Sequence, residues 1–276
     1  MNAIAVPAPR VRAPRPLSTV RTLAGRRFGL TARTPRELFV PLLTPALFAL
    51  VIAPALKNAL HTPVSYAAYV AVGTMGLLIP LNTLFSGLSV IVDRESGARR
   101  ELLAAPIRRP LIVLGNLVVA LATTGLQVAA LLALARARRI HFHASATGVL
   151  WFLAVTVLFA IAMYGVAETL AARVPRAEEY IARVPVIAIV PWFLAGSLFP
   201  ITALPYVMSW TARFLPLTHA LALMRYGLLG DSSGLVNIWP GHDVTLMASL
   251  SLLVVAVFAG LLTAVSIRVF TRTAVS

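Results

Sequence analysis

Cysteine is absent from all 276 residues. That excludes a disulfide scaffold, thiolate metal sites and thiol catalysis. Charge is scarce too, since Asp, Glu, Lys and Arg make up 12% of the chain, about half the share usual in soluble proteins. Acid is the scarcer sign, with nine Asp and Glu against 24 Lys and Arg, and Lys57 is the sole lysine. With 59% apolar residues, a soluble domain could not cover its surface in polar groups. Lipid is therefore the expected solvent. No ionisable residue stands at the middle of an apolar run, which counts against a proton-driven carrier.

The net charge of +15 invites a nucleic-acid reading. Its distribution opposes one, because the arginines cluster between runs long enough to cross a bilayer. No nucleic-acid partner is expected; membrane lipid is. The preference for Arg over Lys points to a GC-rich bacterial gene.

Residues 1–16 hold four prolines and three arginines, the pattern of a disordered basic tail. No apolar stretch followed by a cleavage site marks a signal peptide. Over residues 17–34, Leu17, Val20, Ala24, Phe28 and Thr31 fall on one helical face, with Arg26 and Arg33 opposite. This predicts an amphipathic helix lying on the membrane. Residues 35–276 form the transmembrane domain.

Six apolar segments follow: Leu38–Leu56, Ala67–Val92, Leu111–Ala135, Gly148–Ala172, Val184–Pro200 and Val244–Ile267. A hydrocarbon core of about 30 Å needs about 20 helical residues. The fifth is short and is expected to begin near Glu179, with Arg183 snorkelling to the interface. The fold class predicted is all-α and integral to the membrane, with six spans. An even number puts both termini on one side. That side carries 18 of the basic residues and the other six, which places both termini in the cytoplasm and the chain in the inner membrane of a bacterium. Arg136, Arg138 and Arg139 break the trend as an outer anchor or a substrate-attracting patch. Residues 201–230 are apolar but broken by Pro205 and Pro216, so helices near 203–214 and 217–229 should lie at or dip into the outer surface.

The segment 93–109 between spans two and three runs Asp93-Arg94-Glu95-Ser96-Gly97-Ala98-Arg99-Arg100-Glu101-Leu102-Leu103 and continues to Pro106 and two arginines. Ser96 is placed to N-cap a helix of about nine residues that Pro106 ends. Glu95 and Arg99 stand four apart, and Leu102, Leu103 and Ile107 add a hydrophobic knob. A loop needing only solubility has no use for that knob, so the segment reads as a docking element for a cytoplasmic partner.

On these residues the chain resembles the permease subunits of ABC-2-type transporters, and within them the DrrB-like drug-export branch. The Arg94-Glu95, Gly97 and Glu101-Leu102-Leu103 run is similar to the family's cytoplasmic coupling segment, although Arg99-Arg100 stand where the family often has Thr-Leu. Pro191 to Pro200, Ala203-Leu204-Pro205 and Leu215-Pro216-Leu217-Thr218-His219-Ala220 resemble its fifth span and outer re-entrant helices. The resemblance implies a half-transporter that pairs with a second copy or a paralogue. Two P-loop ATPase subunits would dock at Asp93, Arg94, Glu95, Gly97, Arg99, Glu101, Leu102, Leu103 and Pro106. ATP and Mg would sit on those partners, with no cofactor in this chain. The implied activity is export of a drug, antibiotic or lipid-like molecule, as in multidrug efflux and antibiotic resistance.

The sequence agrees that the ATPase is elsewhere, because a P-loop needs a lysine on the phosphates and Lys57 lies in an outer loop. The pathway is expected where spans one, two and five meet the partner permease, lined by Phe39, Phe48, Phe85, Trp192, Phe193 and Ser197. Asn82, Ser86 and Ser89 form one stripe on span two that either faces this pathway or closes helix contacts. Thr123, Thr124 and Gln127 read as packing, and Glu168 as an interfacial ion pair with Arg173. His141 and His143 could form a metal pair but lack a third ligand. An intramembrane serine enzyme would need His219 as base at the depth of Ser86 or Ser197. A channel or a carrier not driven by ATP stands as the alternative function.

Overall fold

The computed structural model describes residues 16–33, 65–105 and 107–273, with isolated positions between 39 and 51. The basic tail, Phe48, Lys57, His61, Pro106 and nearly all of the first apolar segment lie outside the described residues. So do the side chains of Arg99, Arg100 and Leu103.

The described chain is built from helices: α1 (Pro16–Ala32), α2 (Tyr66–Ser86), α3 (Leu88–Glu95), α4 (Ala98–Ala104), α5 (Pro110–Ala137), α6 (Ala146–Arg173), α7 (Ala177–Leu194), α8 (Tyr206–Ala212), α9 (Pro216–Leu229), α10 (Ser233–Ile238) and α11 (Val244–Thr273). Four are long and apolar enough to cross a membrane: Tyr66–Glu95 with its internal break, Pro110–Ala137, Ala146–Arg173 and Val244–Arg272. The chain is a multi-pass membrane protein. Each exceeds its apolar core by a few residues, because helices continue past the hydrocarbon limit until a cap or proline stops them. At α6, Ser145 accepts the Gly148 amide at 3.0 Å, a side-chain N-cap.

The fifth segment becomes α7, 18 residues with Pro185 and Pro191 inside it. Glu179 and Arg183 pair at 3.6 Å on its exposed first turns. The helix stops at Leu194, short of the expected Pro200, in a turn where Gly196 takes a positive φ of 80°.

Helix α2 is the hub. Nearly every residue from Tyr66 to Leu84 is buried, the signature of a helix apolar all round. It packs on α5, α6, α7 and α9, while α6 packs on α9 and α11. Two glycines set the α6 to α9 crossing: a Cβ on Gly148 would lie 2.3 Å from the Gly227 carbonyl oxygen, and one on Gly227 2.5 Å from that of Gly148. Only a bare backbone permits that approach. Leu114 and Val118 on α5, Leu150, Leu153 and Val157 on α6, and Leu253, Val257 and Leu261 on α11 face outward as stripes toward lipid.

One expectation needs correction here, the cap and length of the helix after Ser96. Ser96 does not cap the helix after it; it terminates α3, and its hydroxyl turns back to the Asp93 carbonyl oxygen at 3.4 Å. Gly97, with φ at 79°, precedes α4, which has seven residues rather than nine. Glycine occupies that left-handed conformation without a Cβ clash, so it takes the turn that serine would strain. On α1, the residues turned into the protein are Thr19 and Arg27, with Leu23 packed on α5, while Leu17 and Phe28 of the apolar stripe face outward. Glu168 is buried and accepts a hydrogen bond from the Tyr164 hydroxyl one turn back.

Candidate functional site

Span two breaks at Gly87, and the break creates the α4 end of the molecule. Within α2, Pro80 has no amide to give the helix, and Thr83 bonds the Ile79 carbonyl oxygen at 2.8 Å. Four residues later the Leu84 carbonyl accepts both the Gly87 amide at 3.0 Å and the Tyr180 hydroxyl at 2.5 Å. A Cβ at position 87 would lie 2.2 Å from that hydroxyl, so glycine is required for α7 to reach in.

Helix α3 then delivers Asp93 and Arg94 to opposite neighbours. Asp93 accepts Arg27 Nη1 of α1 at 3.2 Å, with Arg26 Nη2 at 3.8 Å. The Arg27 and Asp93 side chains are only 11% and 15% exposed, so water screens this pair less than an open surface pair. Arg94 donates to the carbonyl oxygens of Ala171 at 3.2 Å, Val174 at 2.7 Å and Pro175 at 2.8 Å. A guanidinium there satisfies the orphan carbonyls at the end of α6 and suits the negative end of its dipole. Past α4, Arg109 donates to the Thr271 carbonyl oxygen of α11 at 3.2 Å.

Three arginine contacts thus tie the 93–109 segment to α1, α6 and α11. Between these ties, α4 carries Glu101 exposed, and Glu95 is exposed just before it. Leu102 and Ile107 pack against a small cluster of Ile112, Val113, Ala120, Tyr164 and Phe270. Part of the knob is therefore internal, fixing α4 onto the bundle, while the acids remain outward. Of the predicted docking residues, Asp93 and Arg94 are committed to contacts within the chain, and Glu95 and Glu101 are presented.

The predicted pathway residues divide in the same manner. Asn82 is buried and donates to the hydroxyls of Thr124 at 2.6 Å and Thr123 at 3.3 Å, joining α2 to α5. The structure thus turns it into a helix contact, along with the threonines. Ser86 and Ser89 donate back to the Thr83 and Ser86 carbonyl oxygens at 2.6 and 2.5 Å. Trp192 is fully buried, its Nε1 donating to the Gly73 carbonyl oxygen at 2.7 Å, and the buried Ser197 donates to the Trp192 carbonyl oxygen. Phe85 packs half-buried against the core. Phe193, edge-on to Trp192 at 4.9 Å, and Phe39 are exposed.

Sequence reasoning misses two arrangements at the opposite, α8 end. Arg225 appears in the sequence as a loop cation, yet it is buried with its Cζ 3.4 Å above the Tyr69 ring. His219 is likewise buried rather than at the surface. Its Nε2 faces the Arg213 carbonyl oxygen at 2.9 Å and its Nδ1 the Ser251 hydroxyl at 3.2 Å, which in turn accepts Trp239 Nε1 at 2.8 Å. Burial holds the imidazole below its ordinary pKa. No local motif marks either contact, since their partners lie on distant helices.

Residues 18–229 match the family described as "ABC-2 type transporter". Over 169 residues the chain is 28% identical to Nodulation protein J of Rhizobium leguminosarum bv. trifolii, covering 60% of this chain and 63% of that protein. The chain thus spans just under two thirds of the length of this curated relative.

Proposed function

The chain belongs to the ABC-2 type transporter family, and from that premise we propose that it is the permease subunit of an ATP-driven exporter. In this reading the first apolar segment, 38–56, and α7 complete six spans, both termini lie in the cytoplasm, and the membrane is the bacterial inner membrane. The α4 end is then cytoplasmic, and α8 and α9 are the outer re-entrant helices. Two P-loop ATPase subunits carry ATP and Mg, and a second copy or a paralogue supplies the other half of the pathway.

One observation supports the coupling role above others: α4 presents Glu95 and Glu101 outward while arginines lock the segment's flanks to three helices. A displacement of α4 by a partner would be passed to α1, α6 and α11 together, because packed helices shift as units rather than deform. The half-buried knob at Leu102 and Ile107 makes that transmission stiff.

The outward Phe39 and Phe193, near the expected meeting of spans one and five, provide an apolar lining between permeases. Such a lining suits a hydrophobic or amphipathic cargo that leaves the cytoplasm.

Reconstitution tests this reading. Purified in mild detergent from its native membrane, the chain should carry a stoichiometric P-loop ATPase, and vesicles holding both should move a lipophilic reporter only with ATP. Movement by the isolated chain without nucleotide would contradict the proposal and favour a carrier.

A further inference from the structure

At the α8 end, α9 aligns Thr218 and Arg225 two turns apart on the face that meets α2 and α10. With Tyr69, Gly196, Ser233 and Asn237 they line a cavity of about 20 Å³. That is room for a single water-sized group.

The polar groups around it are incompletely matched. Arg225 is 4% exposed; its Nη2 donates to the Ser197 carbonyl oxygen at 2.9 Å and its Cζ lies over the Tyr69 ring, but its Nε has no hydrogen-bond partner. Thr218 is 3% exposed, and its hydroxyl also has no partner. Leaving such groups unmatched is costly, most of all where the group is charged. Buried charges are ordinarily paired. Tyr69 cannot do this, because its hydroxyl, which donates to the Gly196 carbonyl oxygen at 3.0 Å, carries no charge. Asp231, buried nearby, acts on Arg225 across space, but it does not line the cavity and offers no hydrogen bond to Nε; one of its oxygens accepts the Ser233 amide at 3.0 Å and the other is unpartnered. Arg225 is therefore the one charged group among the residues lining it, and its direct contacts are a neutral carbonyl and a neutral ring.

We propose that this cavity is an oxyanion-binding site, in which Arg225, Thr218 and Asn237 hold one oxygen of a phosphate or carboxylate group. An anionic oxygen accepts from the guanidinium, the hydroxyl and the amide at once, and it supplies the direct hydrogen-bond partner that Arg225 Nε and Thr218 lack. The group comes from a lipid headgroup at this end of the bundle or from a free anion of the same chemistry. The site stands apart from the export reading, since it needs neither nucleotide nor a partner subunit.

The test uses the full chain in phosphatidylcholine nanodiscs, with thermal unfolding followed by tryptophan fluorescence. Inorganic phosphate is titrated against chloride at matched ionic strength, and a second set of discs contains phosphatidylglycerol. The expected result is a saturable rise in Tm with phosphate, with phosphatidylglycerol, or with both. A rise with the lipid alone assigns the headgroup as source, and a rise with phosphate alone assigns the free anion. Arg225→Gln should weaken the apparent affinity by about tenfold or more, the loss of a charged hydrogen bond. Should that variant fail to fold, Thr218→Val and Asn237→Ala, which leave the charge in place, should each weaken it by about threefold or more. No saturable shift with either probe, an equal shift with neutral glycerol, or unchanged affinity in the folded variants would overturn the proposal.

Discussion

Arg27 of α1 and Asp93 of α3 meet at 3.2 Å where the amphipathic helix crosses the end of the second span. Arg27 is among the two residues of α1 that are buried, although by sequence it sits at the edge of an apolar stripe. The contact fastens this helix to the segment that bears α4.

That fastening predicts a measurable coupling energy. Arg27→Gln and Asp93→Asn should each destabilise the protein, and the double variant should cost less than their sum by about 1–3 kcal/mol, the range for a hydrogen bond to a charged group. Unfolding in a detergent series checks this. Simple additivity would mean that α1 is held by packing at Leu23 alone.

The break at Gly87 predicts a rescue. Gly87→Ala drives a methyl to 2.2 Å from the Tyr180 hydroxyl and 3.0 Å from the Ala167 carbonyl oxygen. Overpacking of this kind costs about 1–3 kcal/mol. Tyr180→Phe removes the closest atom, so the double variant should recover part of the loss seen with Gly87→Ala, read as Tm. No recovery would place the strain on the Ala167 side.

His219 predicts the sign of a pH effect. The Arg213 carbonyl can only accept, so Nε2 carries the proton, and the Ser251 hydroxyl, occupied as acceptor by Trp239, donates to Nδ1. This network fits only the neutral ring. The groups facing it are a carbonyl, a hydroxyl and an indole, with no charge among them. Because the folded pKa lies below the ordinary 6.5, the unfolded chain binds the proton more readily. Stability from this site is complete above about pH 6.5 and falls as pH drops through that value toward the folded pKa. Tm measured between pH 7.5 and 5 should decline, and His219→Gln should flatten the decline. An identical slope in the variant would assign it to other groups.

The long helices were legible because lipid imposes one requirement over some twenty residues at a time, and α5, α6 and α11 satisfy it with long apolar runs. The short helix after span two was legible through its composition, since acids and leucines share a short stretch ended by proline. Its internal geometry was not. Ser96 and Gly97 both qualify as a helix boundary, and only the turn into α4, with its positive φ, decides between them. Asn82 shows the same limit: a polar stripe on a span fits a pathway or a helix contact equally, and Thr123 and Thr124, on the following span, settle its side chain as a contact. Arg225 was hidden because cation–π stacking on Tyr69 joins helices far apart in sequence. Helix α10 was missed because six residues are too few for a periodic signal.

In the proposed exporter, Glu95 and Glu101 form the surface through which a separate ATPase moves this chain. The direct measurement is the ATPase retained on an affinity-purified Glu95→Lys, Glu101→Lys double variant, with membrane insertion verified by carbonate extraction. A loss of about tenfold or more relative to the unaltered chain, with insertion intact, is the predicted result. Full retention of the partner by a correctly inserted variant would contradict it.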